Sequence, residues 1–198
     1  MKKRSVVLGL ITILLSTTAV GCSGGSSSSG NSSNSNSSAS SKKETGITLD
    51  QFNKITLDEN SGTSLDDLKK ELGKPSSTST STVQTQTVDL NTWSKGLGSS
   101  LAVGFSNGHA ISKHISSLKV NRKNKITLDS FGQIQNGQSE DDVKNALGDP
   151  NGINTSTLAG TTITILTYTS GVKGSLGANA TVTLTNGAVS GESQTGLE

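Results

Sequence analysis

This chain has one cysteine, two prolines and five aromatic rings in 198 residues, and only 29% of it is hydrophobic. The lone cysteine, Cys22, excludes an intramolecular disulfide framework and any zinc site built on several cysteines. The five rings are Phe52, Trp93, Phe105, Phe131 and Tyr168, so the core must be thin and made chiefly of Leu, Ile and Val. Charge of one sign is missing as well. The formal charge is +2, and removal of Lys2, Lys3 and Arg4 leaves 14 basic against 15 acidic side chains, or −1. No field for nucleic acid follows from that balance. No apolar run approaches the about 20 residues that a permanent membrane span requires. The chain also lacks a G-x-S-x-G elbow, a P-loop and an H-E-x-x-H pair. A non-enzymatic protein with no catalytic residue, cofactor or metal site is therefore expected.

What is present begins with an address. Lys2-Lys3-Arg4 and the apolar run Val6–Leu15 have the charge and length of a secretory signal. Ala19-Val20-Gly21-Cys22 follows and resembles the lipobox of bacterial lipoproteins, with Ala19 where Leu is commoner. The resemblance implies cleavage before Cys22 and transfer of diacylglycerol and palmitate to it. It makes residues 1–21 a lipoprotein signal peptide and places the protein on the extracytoplasmic face of a bacterial cell membrane, lipid-anchored. Ser23–Ser41 reads SGGSSSSGNSSNSNSSASS. A stretch with so little to bury cannot offset its ordering entropy, so residues 22–45 are expected to be a disordered tether.

The rest of the chain says one thing twice. Ile47–Pro75 reads ITLDQFNKITLDENSGTSLDDLKKELGKP, and Ile126–Pro150 reads ITLDSFGQIQNGQSEDDVKNALGDP. The opening motifs lie 79 residues apart and the closing L-G-x-P motifs 75 apart, the first copy holding four more residues. Two copies of one unit are expected, over 46–119 and 126–198, joined by a basic linker at 120–125. In each, a capped Thr opens a short helix: Thr48 with Gln51 forms a capping box, and Phe52 and Ile55 share a face. Ser64 and Ser139 then cap second helices, with Asp66, Asp67, Glu140, Asp141 and Asp142 in the first turns. Gly73-Lys74-Pro75 and Gly148-Asp149-Pro150 end them. Strands are expected at Thr82–Asn91, Ser100–Phe105 and His109–Ile115, and again at Thr161–Thr169, Asn179–Leu184 and Ala188–Ser193. Asn107-Gly108 and Asn186-Gly187 are type I′ hairpin signals. Helices first and hairpins after, twice over, predict an α+β fold of two tandem helix-loop-helix plus antiparallel-sheet repeats.

Few side chains suggest chemistry. His109 and His114 lie five apart in one strand, where alternation points them to opposite faces and away from a shared metal. The paired aspartates open helices and are accounted for by the helix dipole. Arg122, Lys123 and Lys125, with Lys113 and Lys119 nearby, could meet lipid headgroups or teichoic acid, although a solvated connector explains them as well. Trp93 and Tyr168 occupy matched positions 75 residues apart. Matched aromatics are either core or an exposed binding pair, and these two are the candidate partner-binding residues.

The order F-x-x-I, capped helix, L-G-x-P, strands and N-G hairpin resembles the β-lactamase inhibitory protein family and its lipoprotein relatives. It is carried by Phe52-Ile55 and Phe131-Ile134, by Leu72-Gly73 and Leu147-Gly148, and by the two Asn-Gly turns, and it covers residues 46–198. The resemblance implies two units whose sheets join into one concave surface that grips a partner protein. The chain departs from that family in having no cysteine after Cys22 and few aromatics on its strands, so β-lactamase is not carried over as the target. The expected function is non-enzymatic protein binding through the concave sheet by a membrane-anchored lipoprotein, its protein partner unknown. The alternatives are an envelope assembly component and an inhibitor or exclusion factor against a foreign enzyme or phage protein.

Overall fold

A computed structural model of the chain describes residues 46–83, 86–95 and 98–198. The expected signal peptide, Cys22 and tether lie outside the described residues. Within them the elements run α1 (Leu49–Asn53), α2 (Leu65–Leu72), β1 (Ser77–Val83), β2 (Gln86–Ser94), β3 (Ser100–Ser106) and β4 (His109–Ser116). They continue as α3 (Leu128–Phe131), α4 (Glu140–Leu147), β5 (Gly152–Leu158), β6 (Thr161–Tyr168), β7 (Gly174–Thr185) and β8 (Ala188–Leu197).

The local signals at the helices act as their chemistry requires. The Thr48 hydroxyl accepts from the Gln51 amide, and Gln51 Oε1 accepts in return from the Thr48 amide at 3.1 Å. Ser139 and Asp142 make the same reciprocal box at α4. Ser64 caps α2, and its hydroxyl donates to Asp67 Oδ2 at 2.7 Å. Each such cap stabilises its helix by about 1 kcal/mol. The apolar stripes Leu68 and Leu72, and Val143 and Leu147, are buried.

The expected α+β fold of two tandem helix-loop-helix plus antiparallel-sheet repeats is corrected. The described residues form one eight-stranded antiparallel sheet in the order β1-β2-β3-β4-β5-β6-β7-β8, with four short helices against it, and are dominated by that sheet. Two strands escaped the sequence reading. β1 was hidden because Ser77–Val83 is STSTSTV, with no apolar alternation to mark it. The expected strand Thr82–Asn91 in fact straddles the β1–β2 hairpin. β5 was hidden behind its turn, because Ala159 takes the left-handed conformation (φ 50°) beside Gly160, a position where alanine is rarely found. The Asn107-Gly108 and Asn186-Gly187 turns do adopt positive φ at both residues.

Continuity between the two halves comes from β4 and β5, which pair from Ser112↔Ser156 to Ile115↔Ile153. The core lies on one side of the sheet. Trp93, Leu101, Ile115, Ile153, Leu166 and Val182 follow one another across six strands, each opposite the next, and all are buried. Phe52, Ile55, Phe131, Ile134 and the helix stripes cover that row and join it in a single hydrophobic cluster. Burying side chains of this size contributes roughly 1.5–3 kcal/mol each.

Candidate functional site

Because side chains alternate along a strand, the residues between the core positions form the opposite face, which the hydrophobic cluster does not include. One row crosses it as Thr92, Ala102, His114, Asn154, Ile165, Thr183 and Gly191. The next runs Leu90, Gly104, Ser112, Ser156, Ile163, Thr185 and Ala188. No position in either row is acidic, lysine or arginine. The strands contain three such residues, Asp89, Lys113 and Glu192, and the register puts all three on the helix side. The open face is thus built of hydroxyls, one amide and one imidazole around the apolar groups Leu90, Ile163 and Ile165.

The open face is closely packed at the middle of β3. A Cβ on Gly104 would come within 2.4 Å of Ser112 Oγ and 3.1 Å of Val88 Cγ1, so the flanking side chains already close over this glycine. Val88, Ala102 and Ile111 are buried without belonging to the core cluster, which fits mutual packing on this side. Ile111 is the extra residue of a bulge in β4, since Gly104 faces Ser112 while Phe105 faces Ala110.

The bulge breaks the alternation between His109 and His114, so their spacing of five does not set them on opposite faces. His109 turns at the strand start to the Gly62 carbonyl, 3.0 Å from Nδ1. His114 sits in the open face between Ala102 and Asn154, its Nδ1 buried and without a partner among the described residues. Burial holds its pKa below the ordinary histidine value. Among the described residues no cluster of His, Cys, Asp or Glu could hold a metal ion.

Trp93 and Tyr168 are not on this face. They are 2% and 0% exposed, on the helix side of the sheet, so a partner cannot reach either ring. Of the two readings of this pair, core or exposed binding pair, burial fits the first, so these candidate partner-binding residues are core positions. Each ring closes the space under the C-terminal end of a helix. Trp93 Nε1 donates to the Gly73 carbonyl at 2.8 Å. The Tyr168 hydroxyl has no partner among the described residues, and burial raises its pKa.

Two further side chains matter that the sequence did not single out for this role. Lys113 Nζ donates to the Ile55 carbonyl at 2.8 Å and the Phe52 carbonyl at 3.0 Å, and lies 4.4 Å from the Phe52 ring centroid. Burial pulls its pKa below that of an ordinary lysine. Arg122 is neither a solvated connector residue nor free to meet a headgroup: it is a clamp. Its guanidinium lies 5.2 Å from the centroid of the Tyr168 ring and donates to the carbonyls of Leu147, Asp149 and Ser170 and to Asn151 Oδ1. Asn151 also accepts from the amides of Thr169 and Ser170 and donates to the Leu118 carbonyl. A basic run next to a helix end carries no sign of such contacts, because their partners are backbone carbonyls.

A family described as a domain of unknown function with a solved structure, DUF3862, matches residues 35–197. No curated protein matches the sequence. Among solved structures, the chain is similar to one described as a "putative beta-lactamase inhibitor protein" from Streptococcus mutans. The identity is 26% and the TM-score 0.62, over 74% of this chain and 94% of that one.

Proposed function

The chain belongs to the DUF3862 family, and on that premise we propose that it is a non-enzymatic protein-binding module that works through the open face of its sheet. The observation that carries this reading is the complete absence of charge from a broad face on a chain that is otherwise 16% charged. Interfaces deplete charge at their centre, whereas a merely solvated sheet face has no reason to. The protein similar in structure is described as an inhibitor of an enzyme, and a partner of protein nature agrees with that description. It also favours a second reading, in which the partner is a foreign enzyme held inactive. The duplicated sequence supports an origin of the sheet in two copies of one unit. The signal and lipobox support a chain anchored by lipid on Cys22, at the outer side of a bacterial cell membrane, tethered by residues 22–45.

Crosslinking in cells followed by mass spectrometry tests the module. The native chain should capture one protein, and Asn154→Lys and Ile165→Lys, which place charge at the centre of the open face, should each lose it. Capture should be nearly indifferent to salt, because no ion pair is involved. If both variants keep the same partner, the open face is not the site. If the native chain captures nothing resident, binding to purified β-lactamases and other secreted enzymes decides for or against the inhibitor reading.

A further inference from the structure

The charge absent from the open face is sorted along the strand axis. One end of the sheet carries the three turns at Asn107-Gly108, Ala159-Gly160 and Asn186-Gly187 and the N-termini of α2 and α4, which bridge to β4 and β8 through Ser64↔His109 and Ser139↔Ala188. Seven carboxylates gather there: Asp58, Glu59, Asp66, Asp67, Glu140, Asp141 and Asp142. The other end carries the β2–β3 and β6–β7 connections, the segment 117–125 and the C-termini of α2 and α4. Lys74, Lys95, Lys119, Lys123, Lys125 and Lys173 are all exposed at this end. With Arg122 they face five carboxylates, Asp50, Glu71, Asp129, Asp149 and Glu198, of which Glu71 is paired with Lys54. The ion pairs among the described residues engage Lys54, Lys69, Lys70 and Lys144, and none of these six lysines.

Two further observations fall on the same end. Leu176, beside the β6–β7 connection, is the most exposed large apolar side chain among the described residues, at 108%. The chain also enters the folded part here, since Gly46 lies against Gly98 and Ser99, and the Ser99 hydroxyl donates to the Ile47 carbonyl. Cys22 precedes Gly46 by 24 residues, a length that spans at most roughly 80 Å even when fully extended.

We propose that this basic end is a docking surface for an anionic membrane, with the lysines over the headgroups and Leu176 dipping among them. The orientation rests on the lipid-anchored reading of Cys22, and it turns the open face of the sheet parallel to the membrane normal, clear of the lipid. Basic side chains near an anionic leaflet and an apolar tip reinforce one another, as in other peripheral membrane contacts. A lipid surface, unlike a soluble polyanion, satisfies the leucine as well as the lysines.

The test uses the processed, anchored protein reconstituted in phosphatidylcholine vesicles with and without phosphatidylglycerol. Intact mass first reports whether Cys22 bears lipid. Leu176→Cys and, at the opposite end, Asp141→Cys are each labelled with an apolar fluorophore and quenched with aqueous acrylamide. Quenching at 176 should fall at least roughly twofold on the anionic vesicles, while quenching at 141 stays unchanged. Joint reversal of Lys119, Lys123, Lys125 and Lys173 to Glu should abolish the protection. Equal quenching on both vesicles, protection that survives the reversal, or equal protection by a soluble glycerol-phosphate polymer would overturn the proposal. If the mass shows no lipid, the anchor reading falls by itself. The unanchored chain is then sedimented with the same vesicles, and binding to the anionic ones at low salt supports the surface while its absence overturns it.

Discussion

The two halves of the sheet solve one problem with different side chains. In the first, Trp93 fills the space under α2 and its own Nε1 satisfies the Gly73 carbonyl at the helix end. In the second, the matched ring is Tyr168, whose hydroxyl has no partner among the described residues, and Arg122 lies over the ring to take the carbonyls at and just beyond the end of α4. A second contrast lies 79 residues apart. Lys113 on the interior strand β4 ties down the end of α1, while its counterpart Glu192 lies exposed on the edge strand β8. What is preserved between the halves is the need to pair carbonyls where a helix ends above an apolar sheet. The residue that does it is free to change.

That comparison can be broken experimentally. Truncating either ring should be the most damaging change, with Trp93→Ala and Tyr168→Ala each costing about 3–5 kcal/mol in denaturant unfolding. If only one did so, the halves would not share a core. Arg122→Met should cost about 2 kcal/mol, since it strips several carbonyls at once, and should do so while Lys123→Met, next to it and exposed, changes stability by less than about 0.5 kcal/mol. Conservative ring changes should then separate the halves in sign. Trp93→Phe removes a made bond and should cost about 1–3 kcal/mol, whereas Tyr168→Phe removes an unpaired hydroxyl and should be neutral or stabilising.

The smallest effect concerns pH. Burial holds His114 below its unfolded pKa, so below about pH 6.5 the unfolded chain binds the proton more readily. Stability should therefore fall as pH drops from 7 towards the folded pKa, and His114→Asn should flatten that slope in thermal melts between pH 7 and 5. A variant with an unchanged slope would show that His114 is not held neutral by the fold.

Most of the local structure was legible in the residues. Thr48-x-x-Gln51, Ser64, Ser139 and the two Asn-Gly turns act through contacts a few residues apart, so their signals survive in a single sequence. β1 and β5 were not legible, because Ser-Thr alternation and an Ala-Gly turn lack the apolar period and the turn chemistry that mark a strand. The candidate site was read on the right element and the wrong side of it. Trp93 and Tyr168 are large and rare, which suits an interface anchor and a core equally, and strand alternation cannot say which face a helix will cover. The uncharged face itself was visible in principle, since only three strand positions carry charge, but it needed the register to place all three on one side.

By itself, then, the sequence determined the recurring motifs, the caps and turns around them, and the apolar set that fills the core. Each depends on neighbours in the chain or on a count of apolar groups. The tertiary structure alone decided that β4 and β5 merge the halves into one sheet, that Arg122 and Lys113 spend their charge on backbone carbonyls, and that the lysines gather at one end. Those outcomes depend on residues tens of positions apart meeting in space, and no local pattern encodes the distance between them.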